Sequence, residues 1–114
     1  MSEFKEEFIQ IHWTCGSLDE ARKISRHLVN ERLVACANII PWVESIFMWN
    51  NQLDTQQESK VIFKTVASKF QEIKNFILEN AKYEIPEILQ IPITDGNEAY
   101  FDWLRETTGQ NQNS

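Results

Sequence analysis

Apolar and polar residues alternate through residues 8–14, with Ile9, Ile11 and Trp13 on one face and Gln10, His12 and Thr14 on the other, which predicts a half-buried strand. The period then lengthens. Ser17 followed by Glu20 three positions later makes a capping box, and Leu18, Ala21, Ile24, Leu28 and Leu33 recur near helical spacing, so a helix opens there with one apolar face. Residues 35–40 return to a strand pattern. Pro41 lacks an N–H for a ladder and marks an edge or a bulge. Beyond it Val43, Ser45, Phe47 and Trp49 oppose Trp42, Glu44, Ile46 and Met48. Residues 59–65 form another strand with Val61 and Phe63 on one side. The two read as a long hairpin with two candidate turns. One is Asn50-Asn51, because Asn tolerates left-handed backbone; the other is the polar run 54–57, with Asn50-Asn51 then a bulge.

Ser68, with Gln71 in the capping-box position and Phe70, Ile73 and Ile77 one turn apart, predicts a second helix ending near Asn80. Leu89, Ile91 and Ile93 make a short strand, in which Pro92 points to an edge. Asp95-Gly96-Asn97 is a turn, and Asp95 or Asn97 can cap a third helix carrying Tyr100, Trp103 and Leu104. The order β-α-β-β-α-β plus a C-terminal helix predicts an α+β, ferredoxin-like sandwich in one domain over residues 1–108, with a flexible polar tail at 109–114. A helix layer covers one face of such a sheet. The other face, carrying Trp, Ile and Val, and the overlong hairpin are expected to be buried against further copies of the chain.

A hydrophobic content of 42% over 114 residues suits a single globular core, and no apolar run approaches a membrane span. Seventeen acidic against eleven basic residues, net −6, leave no basic footprint for nucleic acid. The acidic start Met1-Ser2-Glu3-Phe4-Lys5-Glu6-Glu7 has neither the basic flank nor the apolar core of a secretory signal, and Cys15 and Cys36 are too few for a disulfide framework. The expected location is cytoplasmic, with both thiols reduced.

The run Arg32-Leu33-Val34-Ala35-Cys36-Ala37-Asn38-Ile39-Ile40-Pro41, continued by Ser45-Ile46-Phe47-Met48-Trp49, is followed in order by Lys64-Thr65, Tyr83-Glu84-Ile85-Pro86-Glu87-Ile88 and Tyr100-Phe101-Asp102-Trp103. This series, covering most of residues 14–103, resembles the CutA family of divalent-cation tolerance proteins. The resemblance implies a compact homotrimer with PII-like architecture and a part in the response to divalent metal ions such as copper. It also favours the 54–57 turn. It places Trp49, Glu58, Lys64, Tyr83, Glu87 and Tyr100 near clefts between subunits. Aromatic walls, two carboxylates and an ammonium suit a small polar ligand or a hard cation bound through oxygen. The same residues also read as interface packing around a Lys64–Glu87 ion pair.

Soft-metal chemistry would need thiolate and imidazole, available only at His12, Cys15, His27 and Cys36. His27 sits mid-helix and Cys36 beside two alanines, both read as packing, so Cys15 and His12 remain the candidate metal ligands. Family resemblance puts the soft ligands immediately before the strand-end threonine and two positions before the tyrosine of Tyr-x-x-Pro-Glu, where this chain has Trp13 and Ala81. No cofactor is required on this reading, and a divalent metal such as copper is the one candidate. Glu84 and Glu87 flank Pro86 in a stiff loop without a nucleophile, Ser45 has no motif tying it to a histidine, and the three glycines form no phosphate loop, so no enzyme is expected. The functional expectation is a non-enzymatic trimer in divalent-ion tolerance. Its alternatives are a PII-like sensor or adaptor with inter-subunit clefts and a stable trimeric scaffold.

Overall fold

The computed structural model describes residues 6–109. Its strands are β1 (Phe8–Cys15), β2 (Cys36–Trp49), β3 (Gln52–Val66) and β4 (Glu87–Pro92), and its helices α1 (Leu18–Asn30), α2 (Phe70–Asn80) and α3 (Glu98–Thr107). The sheet order is β2-β3-β1-β4 with every neighbouring pair antiparallel, the ferredoxin-like arrangement. Of the expected tail at 109–114, residues 110–114 lie outside the described residues.

Strand parity sets the core. Ile9, Ile11, Trp13 and Cys15 of β1 and Val61 and Phe63 of β3 point to one side and are buried with Ala21, Ile24 and Leu28 of α1 and Ile73 and Ile77 of α2. Slipping the β1/β3 register by one residue would turn this whole set to the opposite face, so burial specifies the pairing Ile11↔Phe63 and Trp13↔Val61. Helix α1 begins as expected, the Ser17 hydroxyl accepting the Glu20 N–H at 3.0 Å. It ends at Asn30, and past the Glu31 cap Arg32, at φ 60°, lets Leu33 N–H reach back to Leu28 O at 3.0 Å, a left-handed C-terminal cap made without glycine.

Several expectations need correction. The hairpin turns at Asn50-Asn51, with φ values of 53° and 64°, and Trp49 pairs with Gln52; residues 54–57 are regular β3. Two consecutive left-handed residues match the right-handed twist of the flanking strands, and a side-chain amide tolerates that conformation. Ser68 does not cap α2: it lies in a 3₁₀ turn, Ala67–Lys69, and the helix starts at Phe70 without a side-chain cap. The sheet face opposite α1 and α2 is not left open along its length. Helix α3 lies across one end of it, with Leu104 and Tyr100 packed on Phe8, Ala35 and Val66, and Phe101 stacked on Phe8 at 4.4 Å.

Pro41 and Trp42 form the bulge, shifting register between Ile40 and Val43 and leaving Trp42 at φ 64°. Past it, β2 and β3 run on together. From Ser59, where β1 ends, seven residues of β3 extend about 24 Å to the turn. On one side of this arm Ile46, Met48 and Leu53 are 64%, 63% and 73% exposed.

Candidate functional site

The other side of the arm forms the floor of a cleft of about 510 Å³. Ser45, Phe47 and Trp49 of β2 stand opposite Gln56, Asp54 and Gln52 of β3, and Glu58 continues the same row. The 81–86 loop makes the wall, with Tyr83, Glu84 and Ile85, and Thr14 and Glu87 close the end nearest the sheet. The loop exists because α2 stops at Asn80, where Ala81 turns extended after its N–H bonds Ile77 O at 2.8 Å. Pro86 then fixes the approach to β4.

One hydrogen bond holds the wall to the floor. The Tyr83 hydroxyl donates to Glu58 Oε2 at 2.6 Å, and Glu58 is only 9% exposed. Burial pushes the Tyr83 phenol up from its ordinary range, and the Glu58 carboxylate that accepts its proton pushes it further, so the donor stays protonated. The ring crosses the chain at Gly16, where a Cβ would lie 2.9 Å from the phenol oxygen, so this close approach requires glycine. At the inner end Thr14 Oγ1 donates to Glu87 Oε1, and Lys60 Nζ lies 3.5 Å from Glu87 Oε2.

Of the six residues placed together from the sequence, four meet here: Trp49, Glu58, Tyr83 and Glu87. Lys64 and Tyr100 do not. Lys64 Nζ donates to Asn38 Oδ1 at 2.6 Å and lies 3.9 Å from Cys36 Sγ, which is 3.7 Å from the Tyr100 hydroxyl. Burial and the bond to Cys36 push the Tyr100 phenol up to about 12. Glu87 pairs with Lys60, and within one subunit Lys64 does not reach it. Thr14, Phe47, Asp54, Glu84 and Ile85 line the cleft without having been singled out for it. The shared parity of Phe47 with Trp49 and of Asp54 with Glu58 is the sequence signal that points to two of them.

The candidate metal ligands Cys15 and His12 are not brought together. Three positions apart on a strand, they take opposite faces. Cys15 is buried on the helix side at 2% exposure, and burial pushes its thiol up to about 11, with Glu20 and Glu58 adding to the shift. His12, on the other face, contacts Gln10 Oε1 at 2.7 Å, and burial, then Lys60, lower its pKa against the opposing pull of Glu87. Trp13 fills the core with no exposure. Among the described residues no three His, Cys, Asp or Glu side chains converge as a metal cage. These residues do not fit a soft-ligand copper centre within one subunit.

The family model described as CutA1 divalent ion tolerance protein matches residues 9–107. A Thermus thermophilus protein named Divalent-cation tolerance protein CutA is 41% identical over 104 residues, 91% of this chain and 99% of that one. An Arabidopsis thaliana protein named Protein CutA, chloroplastic, is 31% identical over 88% of this chain, which spans 55% of that relative's length. The solved structure of the Thermus thermophilus divalent cation tolerance protein superposes with a TM-score of 0.85 at 39% identity, covering 90% of this chain and 99% of that one.

Proposed function

Because the chain belongs to the CutA1 family of divalent ion tolerance proteins, we propose that it serves in the response to divalent metal ions, copper among them, as a non-enzymatic homotrimer of the cytoplasm. The observation that carries this reading is the arm. Ile46, Met48 and Leu53 share one face of it, and Trp42 at the bulge is 71% exposed. Burying each such side chain is worth roughly 1.5–3 kcal/mol, a gain open to a subunit only when another copy covers the arm. Three copies related by a rotation axis close on themselves and leave no arm uncovered. Two unpaired cysteines fit a reducing compartment.

Cys15 and His12 lie on opposite faces of β1, so tolerance on this reading does not run through a soft-ligand centre. Native mass spectrometry of the full chain during copper(II) and zinc(II) titration tests it. A trimer before and after metal, with no stoichiometric tight site dependent on Cys15, is expected. Monomer throughout, or a tight copper site abolished by Cys15→Ala, overturns it. A second reading is favoured by the Tyr83–Glu58 bond that roofs the cleft: a PII-like sensor whose clefts, completed at subunit boundaries, bind a small molecule.

A further inference from the structure

We propose that the groove between helix α1 and the free edge of β2 binds a small organic phosphate monoester, its phosphate held by Arg22, Arg26 and the Ser25 hydroxyl. The groove shares no lining residue with the cleft beneath the 81–86 loop, and the inference stands apart from the sensor reading.

Two periodicities make the groove. Positions 22, 25, 26 and 29 of α1 recur at spacings of three and four, so they share the helix face beside the outer edge of β2. Ala37 and Ile39 pair with Phe63 and Val61, which puts them on the helix side of the sheet, and with Val29 they form an apolar wall. The groove encloses about 750 Å³, a size that takes small molecules. Arg22, Arg26 and His27 line it and no Asp or Glu does, a local reversal of sign in a chain of net charge −6. Among the described residues the ion pairs are Lys60–Glu87 and Arg105–Asp102, so both guanidiniums of the groove are unpaired. Two arginines one turn apart suit a single phosphate and are too few to track a nucleic-acid backbone.

Ser25 supplies an independent observation. A serine inside a helix ordinarily turns its hydroxyl back onto a carbonyl of the preceding turn. Ser25 is only 4% exposed, yet its Oγ has no hydrogen-bond partner among the described residues. It lines the groove between the two arginines with its donor unused. A desolvated hydroxyl without a partner is costly, and an oxyanion in the groove serves it with a charge-assisted bond. Two guanidinium forks and one hydroxyl suit an acceptor with three terminal oxygens, which a phosphate monoester has and a carboxylate lacks. The wall of Val29, Ala37 and Ile39 then takes the organic body of the ester, which inorganic phosphate does not offer.

Calorimetric titration of the full chain with phenyl phosphate tests the proposal. It is run at about pH 8, where the monoester is dianionic, and at about 150 mM salt, which screens diffuse attraction. The variants are Arg22→Gln and Arg26→Gln, both at exposed positions, Ser25→Ala and, as a control that removes the same charge, Arg105→Gln on α3 across the sheet. One saturable site per subunit is expected in the wild type and in Arg105→Gln, weakened about tenfold by loss of either groove arginine and several-fold in Ser25→Ala. The serine variant separates binding from structure. Alanine is the better helix former and leaves no orphaned hydroxyl, so the urea midpoint of Ser25→Ala should stay at or above that of the wild type while its affinity falls. No saturable binding, equal weakening by Arg105→Gln and the groove arginines, or an unaltered affinity in Ser25→Ala would overturn the proposal. Inorganic phosphate and benzoate check the ligand class. Both should bind more weakly, one lacking the apolar body and the other the third oxygen, and either binding as tightly as phenyl phosphate would overturn the assignment.

Discussion

Replacing Tyr83 with phenylalanine removes one oxygen atom and, with it, the bond that fastens the 81–86 loop to the arm. The wild-type bond is 2.6 Å long and ends on a carboxylate only 9% exposed, so the variant strands Glu58 with a buried oxygen that nothing serves. Hydrogen bonds to charged groups contribute about 1.5–3 kcal/mol, and Tyr83, itself 36% exposed, lets some water reach the gap, which places the expected loss near the lower end, about 1.5–2 kcal/mol. Urea denaturation at fixed protein concentration reads this as a lower midpoint with unchanged slope. A second substitution checks the geometry. Gly16→Ala puts a methyl 2.9 Å from the phenol oxygen and displaces the ring, so it disrupts the same bond. Its cost should therefore be smaller in the Tyr83→Phe background, by about 1 kcal/mol of coupling. A Tyr83→Phe variant within about 0.5 kcal/mol of wild type, or strictly additive Gly16 and Tyr83 effects, would refute the reasoning.

Alkaline stability should report Cys15. Its thiol titrates near 9.0 when unfolded and at about 11 when folded, so the folded state holds the proton longer. Stability is intact below pH 9 and is lost as pH rises to 11, by on the order of 2–3 kcal/mol, and Cys15→Ala should remove that pH-dependent loss in a series of denaturant midpoints. At the turn, Asn51→Val forces a β-branched residue to φ 64° and should cost about 1–2 kcal/mol in the same assay, whereas a neutral result would place the turn elsewhere.

Much of the fold was legible because strand parity carries hard information. Once Ile9, Ile11 and Trp13 must face a core, Val61 and Phe63 have one register against them, and Glu58 takes the same face as Phe47 and Trp49. Parity gives the face of a residue and not its place along the strand. Lys64 shares Glu58's face but lies six residues on, about 20 Å away under α3, and it leaves the cleft for that reason. The side of the sheet taken by α3 was equally hidden, since the spacing of Tyr100, Trp103 and Leu104 marks an apolar stripe without saying which sheet face it covers. Local chemistry leaves Asn50-Asn51 and the 54–57 run as equal candidates for the turn, and the resemblance favours the one that the φ values of Asn50 and Asn51 exclude. The Tyr83–Glu58 bond joins residues 25 positions apart and follows from how α2 ends, which no local pattern expresses.

The claim that the exposed arm builds a trimer faces its most direct test in sedimentation velocity at micromolar concentration, run on the wild-type chain and on Leu53→Asp. A species of about three times the 13.4 kDa chain mass is expected for the wild type, and a shift toward monomer for the variant, in which a charge stands on the apolar face of the arm. A wild-type chain that sediments as monomer, or a Leu53→Asp variant that remains trimeric, would contradict the account.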